Sequence, residues 1–395
     1  MLHNQVPSTG YGRIIFTGKA LSDNSPLFTP YRLGTLDLPN RFVMPAMQRG
    51  MCEDGKPSEA LAQYYRRRAE GGVPLIVGES AAIDHPTATR QPASAWINSA
   101  SRDAWARCVN EVGEAGGHML VQLWHEGGVR KDDGLSISPS GLVQPDKPNG
   151  RPATLDEIAE LTEAYVRSAL IAKDAGAAGV EVHAAHGYFL DQFLWAAINR
   201  REDGYGGPDI AHRARFPAEI VGAIRAACGA DFLISLRFSQ WKEVDYDARI
   251  AESEHELATF TAIMKQAGVD VLHASTRRFW ESEWDHDDRN LAGWTKAKSG
   301  LPVITVGSVG LDTDVMTTFI EERDAKPRVV EAVEDLEARI GAGEFDLVAV
   351  GRALIGDPDF VRKLESGDYG SIRLFQRSDL GTLEWDTEII EAAHA

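Results

Sequence analysis

The chain has only three cysteines among its 395 residues, Cys52, Cys108 and Cys228, widely spaced and odd in number. That excludes a disulfide framework, and it excludes an iron–sulfur cluster, which needs four clustered thiolates. Long hydrophobic runs are missing too: no stretch approaches the roughly 20 apolar residues that cross a bilayer. The N-terminus, MLHNQVPSTGYGRIIFTGKA, has no basic segment followed by an apolar one. No secretory signal is therefore expected, and a cytoplasmic location is the default. Positive charge is in deficit, with 41 Lys and Arg against 59 Asp and Glu and a formal net charge of −18. Nucleic acid and anionic membrane are disfavoured as partners, because both are polyanions. Internal repeats and low-complexity tracts are absent as well.

What is present is a recurring unit: a short β-rich apolar run, a polar turn, then a longer helical pattern. The runs are RFVMPAM (41–47), VPLIVGES (73–80), HMLVQLW (118–124), GVEVH (179–183), DFLISLRF (231–238), VDVLHAS (269–275), LPVITVGS (301–308) and FDLVAVGR (345–352). Most are near-continuous in Val, Ile and Leu, as parallel strands buried on both faces require. Several of the intervening helical segments end in Gly, which suits a left-handed cap. Eight units in one chain predict an α/β fold, a (β/α)8 TIM barrel. An open doubly wound sheet would need a Gly-rich phosphate turn after an early strand, and none follows the first two. The expected organisation is an N-terminal extension (1–25), a barrel domain (26–370) and a C-terminal tail (371–395). Two stretches read as rim insertions and lids, 126–152 and the Trp-rich 276–294; the segment 311–344 reads as a surface helical elaboration without a function.

Polar residues interrupt these strands. Gln122 sits inside MLVQLW and Arg237 inside FLISLRF. Each is costly to bury unless its hydrogen-bonding groups are met. A polar layer in which such residues satisfy one another would do that. So would a planar ligand with a hydrogen-bonding edge at the barrel mouth. Strands seven and eight both end in a glycine-bearing turn, TVGSVG and AVGRAL, where TIM barrels commonly hold phosphate. Gly307, Ser308, Gly351 and Arg352 are the phosphate-site candidates. In HAAHGY, directly after strand four, His183 and His186 lie three apart with Tyr188 two further on. The cluster reads as an oxyanion site with a proton donor, as part of a metal site, or as a hydrogen-bonded polar rim. No further His, Asp or Glu falls at equivalent strand ends with metal-ligand spacing, so no metal is expected.

Six ordered motifs resemble the Old Yellow Enzyme family of FMN-dependent ene-reductases, over roughly Pro26 to Gly367. They are LFTPYRLGTLDLPNRFVMPAMQRG, VQLWHEGG, GVEVHAAHGYFLDQFLWAAINRREDGYGG, ISLRF, TVGSVG and VGRALIGDP. The resemblance implies FMN as cofactor and NADH or NADPH as hydride donor. It places Pro45, Ala46, Met47 and Gln48 beside the flavin, Ser80 facing it, and Gln122 and Arg237 on its pyrimidine edge. Gly307, Ser308, Gly351 and Arg352 would hold its phosphate. His183 and His186 would bind the carbonyl or nitro oxygen of an unsaturated substrate, and Tyr188 would be the proton donor. Trp124 and Trp280 are candidate pocket walls, although core packing competes for Trp124. In NRREDGYGG, Arg201, Asp203 and Tyr205 are expected to brace a loop.

The chain departs from the family at three places. Gln48 stands where the family usually has Thr or Cys near flavin O4. SIRLFQRSDLGTLEW has no clear counterpart of the family's C-terminal Tyr or Arg. The lid with Trp280, Trp284 and Trp294 is unusual. Such tryptophans could box a cationic amine, so amine dehydrogenation or N-demethylation on the same barrel is a rival reading. A metal-dependent barrel hydrolase is a more distant one. Dimers and tetramers are both compatible with such a barrel, and Cys52 either touches the site or is a bystander.

Overall fold

A parallel strand with two apolar faces has to be covered on both, and eight of them achieve this here by closing on themselves. The computed structural model describes residues 25–131, 134–320 and 323–384; the expected N-terminal extension as far as residue 24, and 385–395 of the expected tail, lie outside the described residues. The barrel strands are β1 Phe42–Met44, β2 Leu75–Ile83, β3 His118–Trp124, β4 Gly179–His186, β5 Leu233–Lys242, β6 Val271–Ser275, β7 Val303–Val306 and β8 Leu347–Ala349. Each pairs in parallel with the next, and β8 returns to β1, so the sheet is a closed (β/α)8 barrel. All eight expected strands are found. A short strand at Ala95–Ile97, which the apolar pattern did not suggest, extends the sheet beside β2.

Helices α1 Glu59–Glu70, α2 Arg102–Glu114, α3 Leu155–Asp174, α4 Arg215–Cys228, α5 Glu254–Ala267, α6 Leu291–Ser299, α7 Val329–Gly341 and α8 Phe360–Ser366 follow the strands in turn. Their ends are written in the sequence. Thr154 and Glu157 form a reciprocal capping box that opens α3, and Ser253 caps α5 through the amide of Glu256. Gly268 closes α5 at φ 108°, a conformation that side chains rarely tolerate. None of the described helices is long and apolar enough to cross a membrane.

The barrel interior is layered. Its lower half is apolar: Leu75, Leu120, Val271, Ile304 and Leu347 pack together, plugged from below by Leu33, Leu36 and Leu38 of the hairpin Tyr31–Leu38. Above this the strands turn polar, with Ser80, Gln122, Glu181 and Ser235 in one register row and His183, Arg237 and His273 in another. The apolar plug therefore sets the depth at which a polar ligand stops.

The upper rim is held by a buried ion pair. Lys242, at the end of β5, donates to Asp191 Oδ1 at 2.8 Å and to the carbonyls of Ser239 and Gln240 at 3.3 and 2.6 Å. The other Asp191 oxygen accepts from Gly187 N at 2.6 Å. Both charged side chains are fully buried. The pair clamps the turn after β4, where His186 adopts φ 65° and the β4–β5 register shifts. Removing one charge strands the other, at a cost of about 3–5 kcal/mol. Asp191→Ala is expected to lose stability on that scale in denaturant unfolding. The double variant Asp191→Leu, Lys242→Met is expected to recover much of it.

Candidate active site

The polar half of the barrel opens into a cavity of about 340 Å³ at the carboxyl ends of the strands. Its base is a hydrogen-bonded row. Ser80 Oγ donates to Gln122 Oε1 at 2.6 Å, and Gln122 Nε2 donates to Glu181 Oε1 at 2.8 Å. Ser235 Oγ donates to the other Glu181 oxygen at 2.9 Å, and His273 Nδ1 lies 2.8 Å from it. Glu181 is wholly buried yet ionised: burial pushes its pKa up, and the hydrogen bonds from His273 and Gln122, with the Arg237 charge, outweigh that. This row is a polar layer that satisfies itself. It still presents an amide edge, since Gln122 lines the cavity with one N–H beyond the bond to Glu181.

Arg237 faces the same space. Its terminal nitrogens donate to Ala46 O and Ser275 Oγ, both at 3.2 Å. Its Nε is buried without a hydrogen-bond partner, as is Nδ1 of His183. An unmet buried donor costs about 1–3 kcal/mol, which a ligand with a matching acceptor recovers. Pro45, Ala46, Met47 and Gln48 line the wall after β1, and Gln48 Nε2 donates to Ser94 Oγ at 2.9 Å. Cys52 is not part of that wall. It is buried, with its thiol donating to Glu79 Oε1 at 3.1 Å.

His183 and His186 at the end of β4 and Tyr188 just beyond it meet over the cavity. The His183 and His186 rings lie edge to face at 5.2 Å, and the Tyr188 ring is 5.5 Å from His183 and 5.4 Å from Trp124. His186 Nε2 lies 2.8 Å from Ser275 Oγ. Burial, with the Arg237 charge behind it, lowers both histidine pKa values, that of His183 to about 3, so both rings are neutral. Tyr188 Oη donates to Glu243 Oε2 at 3.3 Å, and burial together with the Glu243 carboxylate keeps the phenol protonated.

At the far end, Gly307, Ser308, Gly351 and Arg352 come together with Arg277. Gly307 has φ 153°, and a Cβ there would meet Thr276 Oγ1 at 2.6 Å and Thr276 O at 2.8 Å. The Ser308 hydroxyl is committed to the carbonyls of Arg277 and Thr313, both at 2.8 Å. Arg352 donates to Thr313 O, Thr318 Oγ1 and Asp314 O, so 313–318, which read as part of a surface elaboration, buttresses this cradle. Burial lowers the Arg352 pKa to about 10, which leaves it a cation at neutral pH.

Other expected positions fall elsewhere. Trp280 does not line the cavity; it packs edge-on to Phe279 at 5.4 Å beneath the Arg328 guanidinium at 3.9 Å. Trp284 and Trp294 pair edge-on at 5.1 Å, with Arg289 over Trp294 at 3.9 Å. Of the expected lids, 276–294 contributes only Thr276 and Arg277 to the cavity wall and the described residues of 126–152 contribute nothing. Arg201 bonds Asp203 and the carbonyls of Pro139 and Ala153, while Tyr205 bonds Glu219, so these residues brace a loop.

Trp241, Glu243, Ser275, Arg277 and Leu380 line the cavity and were not singled out from the sequence. The signal for Trp241 and Glu243 was SQWKE: β5 runs on to Lys242, and residues at a barrel strand's carboxyl end face the site. Leu380, an apolar residue of the tail, carried no signal. Among the described residues no group of three His, Cys, Asp or Glu could hold a metal ion.

A closed barrel with a polar-edged slot and an arginine–glycine cradle defines a flavin-mononucleotide oxidoreductase. The model of the NADH:flavin oxidoreductase / NADH oxidase family matches residues 26–326, and the chain belongs to that family, the Old Yellow Enzyme family that the motifs resemble. The 12-oxophytodienoate reductase 7 of Oryza sativa subsp. japonica is 31% identical over 363 residues, covering 86% of this chain and 87% of that protein. An NADH oxidase of Thermoanaerobacter brockii is 33% identical over 383 residues, covering 90% of this chain but 53% of the relative, so the chain spans about half that relative's length. Morphinone reductase in complex with tetrahydroNAD superposes with a TM-score of 0.74 at 27% identity, covering 90% of this chain and 94% of the other. FMN is the family's cofactor and NAD(P)H its electron source. The orphaned donors and the cradle fit FMN.

Two outcomes are expected. Gly307→Ala forces a Cβ into the Thr276 main chain and should weaken FMN binding by tenfold or more, read by fluorescence titration of the apoprotein. The neutral histidines make stability pH-dependent. Burial depresses the folded-state pKa values of His125, His183, His186 and His273 below the unfolded value of about 6.5, so the unfolded chain gains protons first. Stability should fall as pH drops below about 6.5. A flat unfolding midpoint between about pH 7 and 5 would contradict the neutral assignment.

Proposed function

We propose that the protein reduces the activated C=C bond of α,β-unsaturated carbonyl or nitro compounds with NADH or NADPH, in two alternating half-reactions at one site. The observation that carries this reading is the arrangement of His183, His186 and Tyr188: two neutral imidazoles and a protonated phenol converging above one cavity.

Gln122 and Arg237 are assigned to the pyrimidine edge of the flavin. Pro45, Ala46, Met47, Gln48 and Ser80 flank its ring. Gly307, Ser308, Gly351 and Arg352 hold its phosphate. When bound, FMN would supply two-electron chemistry between the nicotinamide and the substrate's activated double bond. Arg237, a buried cation, stabilises negative charge gathering at the pyrimidine edge. One ring nitrogen of each histidine donates to the substrate oxygen and stabilises the enolate-like charge that develops there. Because both rings are neutral, they donate without giving up a proton and leave that step to Tyr188, which protonates the α-carbon. Trp124, edge-on to the Tyr188 ring, walls the cavity on that side.

Amine dehydrogenation on the same barrel is not favoured, because the tryptophans that would box a cation pack outside the cavity. The reading is tested by anaerobic reduction with NADH and with NADPH, followed by reoxidation with a panel of enones and nitroalkenes. In Tyr188→Phe, bleaching of the flavin by NAD(P)H should persist while enone turnover falls by about 10²–10⁴. Unchanged enone turnover would remove Tyr188 as donor.

A further inference from the structure

Among the described residues Glu243 is the one carboxylate that lines the cavity, and the reaction as derived above does not use it. We propose that Glu243 is a positioning residue for Tyr188, one that resupplies the phenol with protons from bulk water and, when ionised, draws the phenol's hydrogen bond away from the substrate. The proposal rests on the reading of Tyr188 as proton donor.

The geometry is a direct coupling of two strand ends. Tyr188 Oη lies 3.3 Å from Glu243 Oε2. Glu243 follows the last residue of β5, and its amide donates to His186 O at 3.2 Å. The main chain that carries the carboxyl is thus hydrogen-bonded to the turn that carries the phenol. Glu243 is exposed toward the cavity mouth, which gives it a path to water, and protein crowds its other sides.

The groups around it decide its charge. Tyr188 and His186 face it from the turn after β4, and the His186 ring is neutral. Arg237, on its own strand, stabilises the carboxylate, as does the bond from Tyr188. Tyr246 follows on the next loop, with the Arg277 guanidinium 4.3 Å from its ring, and the Glu126 charge also acts on the Tyr188 phenol. Lys242, the adjacent cation, is committed to Asp191. Desolvation outweighs the attractions and raises the Glu243 pKa. The carboxyl therefore holds its proton to a higher pH than a free glutamate, whose pKa is about 4.3.

The steps balance. The Tyr188 O–H bond breaks as its proton joins the α-carbon, where the electron pair of the enolate forms the new C–H bond. The O–H bond of the Glu243 carboxylic acid then breaks, its proton re-forms the phenol, and the carboxylate takes a proton from water at the mouth. The net supply is one bulk proton per turnover, alongside the two electrons from NAD(P)H. When Glu243 is ionised, the phenol donates to the carboxylate instead. Protonation of the substrate therefore slows as pH rises through the raised Glu243 pKa.

The test uses the FMN-loaded enzyme and Glu243→Gln, which keeps a hydrogen-bonding amide but cannot release a proton. In rapid-mixing experiments, reoxidation by cyclohexenone is expected to slow about tenfold and to lose its alkaline decline, with a much smaller effect on reduction by NADH. Independently of turnover, the [13Cζ]tyrosine resonance assigned to Tyr188 by its loss in Tyr188→Phe should shift with the Glu243 titration in the unaltered enzyme and stay flat in Glu243→Gln. Glu243→Asp should restore the titration. A Glu243→Gln enzyme that keeps the original rate and pH profile overturns the proposal, as does an unchanged Tyr188 titration or an equal loss in the NADH step. The two readings fail separately: full-speed reoxidation by Tyr188→Phe removes the donor itself, whereas a slow Tyr188→Phe beside an unaltered Glu243→Gln removes only the relay.

Discussion

Glu181 is ionised and wholly buried at the centre of the barrel, and the upper half of the molecule is arranged to accept that charge. Three partners bond it directly: the Gln122 amide, the Ser235 hydroxyl and the His273 ring. Arg237 adds a cation from the neighbouring strand without touching it. Each partner is fixed in turn by that service. Gln122 cannot flip, because its carbonyl accepts from Ser80 while its amide donates to Glu181. Removing one member of such a network leaves the rest unmet, which is why buried polar clusters fix one geometry so tightly.

The same charge balance reaches the groups proposed to react. Arg237 offsets Glu181 on one side and faces the two histidines on the other, where it helps burial hold them neutral. A neutral imidazole can donate to a carbonyl oxygen and stay neutral. A protonated one would compete with Tyr188 for the proton step and would repel Arg237. The separation of roles proposed for the histidines and Tyr188 therefore follows from a cation placed two register rows above an apolar plug.

The barrel was legible because parallel strands buried on both faces leave near-continuous apolar runs, and all eight are in the sequence. Gln122 and Arg237 stood out as breaks in those runs, and both line the cavity. Glu181 and His273 are equally polar interruptions, in GVEVH and VDVLHAS, but the charge network joining them spans 92 residues of chain and no local pattern encodes it. The direction of a rim side chain was not legible either. Tryptophans grouped in 276–294 look like a lid by composition, whereas Arg328 and Arg289 lie over two of the rings and Trp294 is buried. Leu380 reaches the cavity because Arg49 grips the carbonyls of Asp379, Leu380 and Thr382, a link across more than 300 residues.

The ion pair of Lys242 and Asp191 shows why a costly interaction is tolerated beside the site. A pair of apolar residues could fill that space without stranding a charge. It could not supply an acceptor for the amide of Gly187, nor donors for two strand carbonyls at the point where β4 and β5 lose register. Those unmet groups appear because the chain between Ala184 and Tyr188 leaves the sheet, with His186 at positive φ, to turn two imidazoles and a phenol toward one cavity. The strain belongs to the chemistry, and the buried charges are what the turn requires once it leaves the ladder.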